Sequence, residues 1–302
     1  MPKGITSLTG YIKRIEALTS VNQGDLLFRG HSKISFDLLP SVFRNSGFLN
    51  NERDLILRLM AESPGEFERD RFTFDRLVRA QHYGVPTRLL DVTTNPLMAL
   101  FFACEASANE RGRVIVFKIP KNSSKFFSSD TVSCLSNLSQ LTEAERREVG
   151  KALRKATKAI FGRETLSGGT LAKKTAEPDK WPDLVDAFNG EKIIKRLVQF
   201  IREEKPYFEN AIDPVDLARI IAVIPKKSNA RIAAQSGAFL LWGLNKTFNE
   251  RNAGQVEQEA IDIPHEAKER MLRALASIGI DENTVYPELS SIAVKLKNQF
   301  KK

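Results

Sequence analysis

Cysteine is scarce: the 302-residue chain has two, Cys104 and Cys134. They are thirty residues apart and form no CxxC unit, which excludes a disulfide framework or a zinc ribbon and fits a reducing compartment. Cys104 sits in a mostly apolar run and reads as core filling. The three histidines, His31, His82 and His265, stand alone in the sequence. With no HExxH and no metal-ligand spacing, no metal is expected. No stretch reaches the ~18 consecutive apolar residues of a membrane span, and residues 1–20 lack the apolar core of a signal peptide. The expectation is a cytoplasmic protein without membrane contact. Phosphate-cradling GxxxxGK[ST] and GxGxxG patterns are missing too. Ser236-Gly237 makes half of a nucleophile elbow, but Ala234 stands where the first glycine belongs, so a serine hydrolase of that kind is not supported.

What is present is ordinary for a globular chain: 42% hydrophobic and 27% charged residues. The net charge of +9 favours a polyanionic partner such as nucleic acid or a phosphate-bearing ligand. Lysines that merely keep the surface soluble would give the same number. The basic residues are spread out, with short runs at 151–158, 173–174, 226–227 and 301–302.

Periodicity predicts an amphipathic helix over 4–19, then a strand over 25–30 ending at Arg29-Gly30. Helices are expected at 51–63 and 73–82, the second stopped by Gly84 and Pro86. A strand at 88–93 leads to Asn95-Pro96, an N-cap followed by a first-turn proline, and to a helix over 97–107 apolar nearly all round, hence buried. A strand follows at 113–119. Residues 121–189 are rich in Ser, Thr, Lys and Glu, and read as a helical insertion or subdomain with an exposed helix over 141–160, a capping box at Thr142 and Glu145, and a flexible point at Ser167-Gly168-Gly169. A helix at 190–204, strands at 217–224, 237–242 and 258–263, a helical turn at 229–236, and helices at 265–277 and 286–297 complete the reading. The fold class is α+β: a mixed, largely antiparallel central sheet flanked by helices, with the helical insertion in the middle of a single domain over 1–300.

Three segments concentrate chemistry. Arg29, Gly30 and His31 end an apolar strand. A guanidinium there suits a phosphate or carboxylate, and the glycine lets a ligand or another backbone approach; the alternative is a buried Arg29 paired with Asp91. The stretch 81–96 gathers Gln81, His82, Arg88, Asp91, Thr93, Thr94 and Asn95. Capping and turn chemistry accounts for Thr94, Asn95 and Pro96, but not for Gln81, His82, Arg88 and Asp91 together. Arg231 and Gln235 are four apart and share one face of a helical turn.

The strings FRGHSKISFDLLPSVFR, QHYGVPTRLLDVTTNPLMALFFACE and RIAAQSGAFLLW, with a tail from PHEAKERM to SSIA, resemble the FRG domain family over residues 28–292. That resemblance implies a cytosolic bacterial protein associated with phage conflict, with a protein partner or antitoxin as one option. A second likeness, at the level of fold, is to ADP-ribosyltransferases of the Arg–Ser–Glu class. It implies that Arg29 grips the diphosphate of NAD and that Thr93 or Thr94 steadies the nicotinamide ribose. Gly30, His31, Gln81, His82, Arg88 and Asn95 would help hold the cofactor. Where that class has its Glu, this chain has Gln235, which hydrogen-bonds but cannot act as a base; Asp91 is the nearest substitute acid. The expectation is an NAD-using ADP-ribosyltransferase-like or NAD-glycohydrolase-like effector, toxin or antiphage. A non-catalytic nucleic-acid or nucleotide-binding module is the alternative, and a hydrolase built on Asp91 and His82 ranks last.

Overall fold

The computed structural model describes residues 4–162, 177–244 and 256–287. Seven strands form one sheet: β1 (Asp25–His31), β2 (Leu89–Thr93), β3 (Gly112–Ile119), β4 (Lys125–Phe126), β5 (Ile220–Ile224), β6 (Gly237–Trp242) and β7 (Glu257–Ile263). Their order is β4-β5-β6-β2-β1-β3-β7. Only the β4–β5 edge is parallel; the other neighbours are antiparallel. The predicted α+β class with a largely antiparallel sheet is what forms.

The sheet is split down its middle. β1 pairs with β3 from Asp25–Ile119 to His31–Arg113, and β2 pairs with β6 from Leu89–Leu241 to Thr93–Gly237. Between β1 and β2 the ladder holds at Phe28–Thr93 alone. Past that pair, Arg29 to His31 on one strand and Val92 and Asp91 on the other part company.

Side-chain alternation sets the two faces. One face carries Leu27, Leu90, Val92, Ile115, Phe117, Ala222 and Leu240, against which Leu38 and Phe43 pack. The other carries two clusters, one over each half of the sheet. Over β1, β3 and β7 lie α1 (Leu8–Val21), α6 (Pro96–Cys104) and α13 (His265–Ala276). Over β2, β5 and β6 lie α5 (Thr73–His82), α7 (Asp130–Ser136), α8 (Glu143–Phe161), α9 (Trp181–Asn189) and α10 (Lys192–Glu204). α6 forms where Asn95 caps it, accepting from the Leu97 N–H at 2.9 Å, with Pro96 at its first position. Being apolar all round, it lies between sheet and α13. Glycine lets it in: a Cβ at Gly30 or Gly112 would collide with the Ala99 or Ala103 carbonyl oxygen of α6.

Three sequence expectations need correction. Residues 217–224 are not one strand: Asp213 caps a short helix, α11 (Pro214–Ala218), and β5 begins only at Ile220. The Asp-Pro start signal outranks the apolar run behind it. α8 has its capping box but is not an exposed helix; it buries Val149, Ala152, Leu153 and Ala156. Each such aliphatic burial stabilises by about 1.5–3 kcal/mol for the larger side chains. Short helices at Ser46–Asn50 (α2), Pro64–Phe67 (α4), in α7 and in α9 also escape the periodicity, because one or two turns give too few repeats to register. The eleven-residue helix α3 (Glu52–Glu62) is where it was expected. Ser167-Gly168-Gly169, the lysine pairs 173–174 and 301–302, and the closing helix beyond Pro287 lie outside the described residues.

Candidate functional site

A cavity of about 270 Å³ occupies the split between β1 and β2. Its walls include Arg29, His31, Asp91, Thr93, Glu105, Arg231, Gln235 and Tyr286. Arg29 and His31 lie on the sheet face of Leu27, and Glu105 and Tyr286 on the α6 side, so the cavity passes through the sheet plane.

Arg29 spans the split. Its Nη1 donates to the Asp91 carbonyl oxygen at 2.5 Å and its Nε to His31 Nε2 at 3.0 Å. The predicted Arg29–Asp91 contact therefore exists, but through the backbone; among the described residues no carboxylate lies within ion-pair distance of the guanidinium. Burial lowers its pKa, partly offset by the Asp91 charge. A half-buried guanidinium with no carboxylate beside it among the described residues is incompletely solvated, and an anionic ligand would neutralise it. Because Arg29 can only donate, His31 Nε2 must be unprotonated and the ring proton sits on Nδ1. Burial first, then Arg29, Arg44 and Arg113, push the His31 pKa down to about 4, so the imidazole is neutral near pH 7.

Two carboxylates reach the cavity, Asp91 and Glu105. Glu105 is the C-cap of α6. The Tyr286 hydroxyl donates to its carboxylate at 2.6 Å. Desolvation raises the Glu105 pKa, with the Tyr286 bond and the Arg231 charge acting the other way. Arg231 lies 5.4 Å over the Tyr286 ring. A carboxyl with a raised pKa suits proton transfer near neutrality.

Gln235 reaches the cavity because Ser236 takes a left-handed turn, φ 48°, between α12 (Ala230–Ala234) and β6. Its Nε2 donates to the Val285 carbonyl at 3.0 Å, leaving Oε1 as an acceptor. Thr93 and Thr94 fasten that turn to the end of β2. Thr93 Oγ1 donates to the Gln235 carbonyl at 2.6 Å and accepts from the Asn95 N–H at 2.9 Å; Thr94 N and Oγ1 both reach the Ser236 carbonyl, at 3.0 and 3.3 Å. The threonine hydroxyls are thus committed to backbone.

The remaining sequence candidates separate. Gln81 and His82 line a second cavity of about 100 Å³ that shares Asp91, Arg231 and Gln235 with the first; Gln81 Oε1 accepts from the Thr87 hydroxyl. Arg88 faces neither. It is 1% exposed and grips Glu52 at 2.8 and 2.6 Å, with the Trp242 carbonyl at 3.2 Å. Asn95 lines neither cavity and serves as a cap, whereas Gly30 lines the first cavity and also answers to helix packing. Cys104 is buried and its thiol pushed up to about 12, which makes it a poor nucleophile.

Sequence reasoning missed Glu105 and Tyr286. Glu105 had a signal, as the first charge after a fully apolar helix; Tyr286 had none, standing 181 residues away from it. It also missed Lys268. Only 2% exposed, this ammonium donates to the Ser32, Ala106 and Ser107 carbonyls at 2.7, 2.9 and 3.0 Å. It joins the end of β1 to the segment after Glu105, fixing two walls of the cavity. Of the basic run 151–158, Lys151 pairs with Glu148 at 2.7 Å and Lys155 with Glu191 at 2.6 Å, which weakens it as a phosphate-binding strip. No described helix is long and apolar enough to cross a membrane.

Residues 24–112 match the FRG domain family. The matched stretch carries Arg29, Asp91 and Glu105; Arg231, Gln235 and Tyr286 lie beyond it. Neither the curated proteins nor the solved structures give a match to the chain.

Proposed function

With an FRG domain over residues 24–112, we propose that the chain is an NAD-consuming effector of bacterial or phage conflict, an ADP-ribosyltransferase-like or NAD-glycohydrolase-like enzyme whose site is the split between β1 and β2. The observation that carries this reading is Arg29, a cation with no carboxylate at ion-pair distance among the described residues, in a cavity that also holds Glu105 and Asp91.

In this reading Arg29 binds the diphosphate, using the N–H groups that His31 and Asp91 leave over. The ribose C1′–N bond breaks, and its electron pair returns to the nicotinamide ring, which leaves neutral. Positive charge develops at C1′, where a nearby carboxylate stabilises it. Water, or an acceptor nucleophile in a transferase, then bonds to C1′ and gives its proton to Glu105 or Asp91. Gln235 Oε1 accepts from a ribose hydroxyl. Glu105 supplies the acid that the sequence lacks at Gln235.

The test is nicotinamide release from NAD by the purified chain, alone and with bacterial lysate or nucleic acid. Arg29→Ala is expected to lower the rate at limiting NAD by roughly 10- to 100-fold, the loss of charge-assisted hydrogen bonds. No turnover and no NAD binding under any of these conditions would overturn the reading in favour of a nucleic-acid or protein-binding module.

A further inference from the structure

A third cavity, about 550 Å³, opens on the sheet face opposite α6. It shares His31 and Phe36 with the cavity in the split, so the two meet at that pair. Its walls are apolar where Leu38, Leu39 and Ile115 contribute. The sizes fall in the ~300–1,000 Å³ range of small-molecule sites when the two cavities are taken as one.

We propose that this larger cavity is the base subsite of the same ligand: a purine-type heterocycle packs against Phe36, and its diphosphate crosses the junction between Arg29 and Arg44. The proposal rests on the dinucleotide reading of the split and assigns which half lies where. The glycosidic bond to nicotinamide then sits on the Glu105 side, and the adenosine half on the side of Leu38 and Leu39.

Three observations carry it. Phe36 is 50% exposed although it lines both cavities, and its ring meets His31 edge-on at 5.9 Å and 78°. An exposed aromatic at a cavity junction offers a stacking surface to any base. Arg44 donates Nε and Nη2 to the Leu39 carbonyl at 3.0 and 2.7 Å, which holds its guanidinium beside the larger cavity. Like Arg29, it has no carboxylate within ion-pair distance among the described residues. It is also close enough to lower the pKa of both Arg29 and His31. Two guanidinium groups without a carboxylate at ion-pair distance among the described residues, near enough to perturb each other, repel until an anion lies close to both, and a diphosphate carries the matching charge. Arg113, in the same cavity, is by contrast spent on Asp262 at 2.6 and 3.1 Å.

The experiment uses the full chain with ADP as the binding probe, and with NAD and nicotinamide mononucleotide as paired substrates. ADP is expected to bind the wild type; Phe36→Ala should weaken it roughly tenfold, the scale of one lost base stack, and Phe36→Trp should restore it. Arg44→Ala should weaken ADP by a similar factor and flatten the salt dependence of its binding. Both alanine variants should reduce the preference for NAD over the mononucleotide, measured as the ratio of kcat/KM values, by about tenfold. Thermal melting confirms that the variants fold. Absence of ADP binding, or a preference ratio equal to wild type in both variants, overturns the proposal. ADP binding that depends on Phe36 and Arg44 without any NAD turnover would sustain the base subsite while removing the catalytic reading of the split.

Discussion

The Tyr286 hydroxyl donates to the Glu105 carboxylate at 2.6 Å, joining residues 181 positions apart. It lowers a carboxyl pKa that desolvation has raised. If Glu105 takes the proton from the attacking nucleophile, it must be ionised, and activity rises with pH through its pKa. Tyr286→Phe removes the bond and raises that pKa further. The acid limb of the kcat/KM profile is therefore expected to move to higher pH, with the alkaline side little altered. A limb at the wild-type position would dissociate Glu105 from the rate. Stability gives a second check. A raised carboxyl pKa means that the native state binds the proton more tightly than the unfolded chain, so stability is lost as pH rises through the window above the unfolded value. Glu105→Gln, which removes that titration, should lose less stability than wild type as pH rises from acid to neutral.

Gly30→Ala separates packing from ligand contact. The added methyl would meet the backbone of Ala99 and Ala103 rather than a movable side chain, so α6 must shift off β1. A loss of about 1–3 kcal/mol or more in denaturant unfolding is expected. A variant with wild-type stability but weakened ligand binding would instead put Gly30 in the ligand site.

How far the site could be read from sequence follows from how local each signal is. Asn95-Pro96 announced α6 because capping acts within a few residues, and the apolar run that follows could only be internal. Arg29 stood out because a charge at the end of an apolar strand is costly wherever it goes. Arg88 looked the same and went elsewhere, because the acid that takes it, Glu52, lies in a helix that nothing in the local pattern of residues 81–96 indicates. The split between β1 and β2 is likewise invisible, since both strands alternate normally and only their pairing, which stops at Phe28–Thr93, opens the cavity. Tyr286 and Lys268 arrive through tertiary packing alone.

Glu52 is wholly buried between two guanidinium groups, with Arg88 at 2.6 Å and Arg146 at 3.3 Å. The arrangement ties α3 to α8 and to the residue that leads into β2, and makes two substitutions unequal. Arg88→Met leaves the Glu52–Arg146 pair neutralised. Glu52→Gln leaves Arg88 facing an amide, while Arg146 keeps Glu143 at 3.2 Å. Breaking a buried pair by removing one partner costs about 3–5 kcal/mol, and Glu52→Gln is expected at or above that level, with Arg88→Met below it. Urea midpoints at constant m-value decide the order; Arg88→Met as the more damaging change would show that its bonds to the Trp242 and Gly243 carbonyls matter more than the charge balance.

His31 supplies a pH test of the same junction without reference to any ligand. Its pKa falls to about 4 in the fold, against ~6.5 in the unfolded chain. Between those values the unfolded state binds more protons than the native one, so unfolding free energy rises with pH and is lost as pH falls. The full loss on acidification from this residue alone is about 3 kcal/mol, because the native fold holds the imidazole neutral among Arg29, Arg44 and Arg113. His31→Gln keeps an acceptor for Arg29 Nε and removes the titration. Denaturant unfolding of both proteins at pH 7 and pH 4.5 should show the wild type losing more stability than the variant by a large part of that amount. Equal losses would mean that His31 is charged in the fold, and then Arg29 could not donate to it.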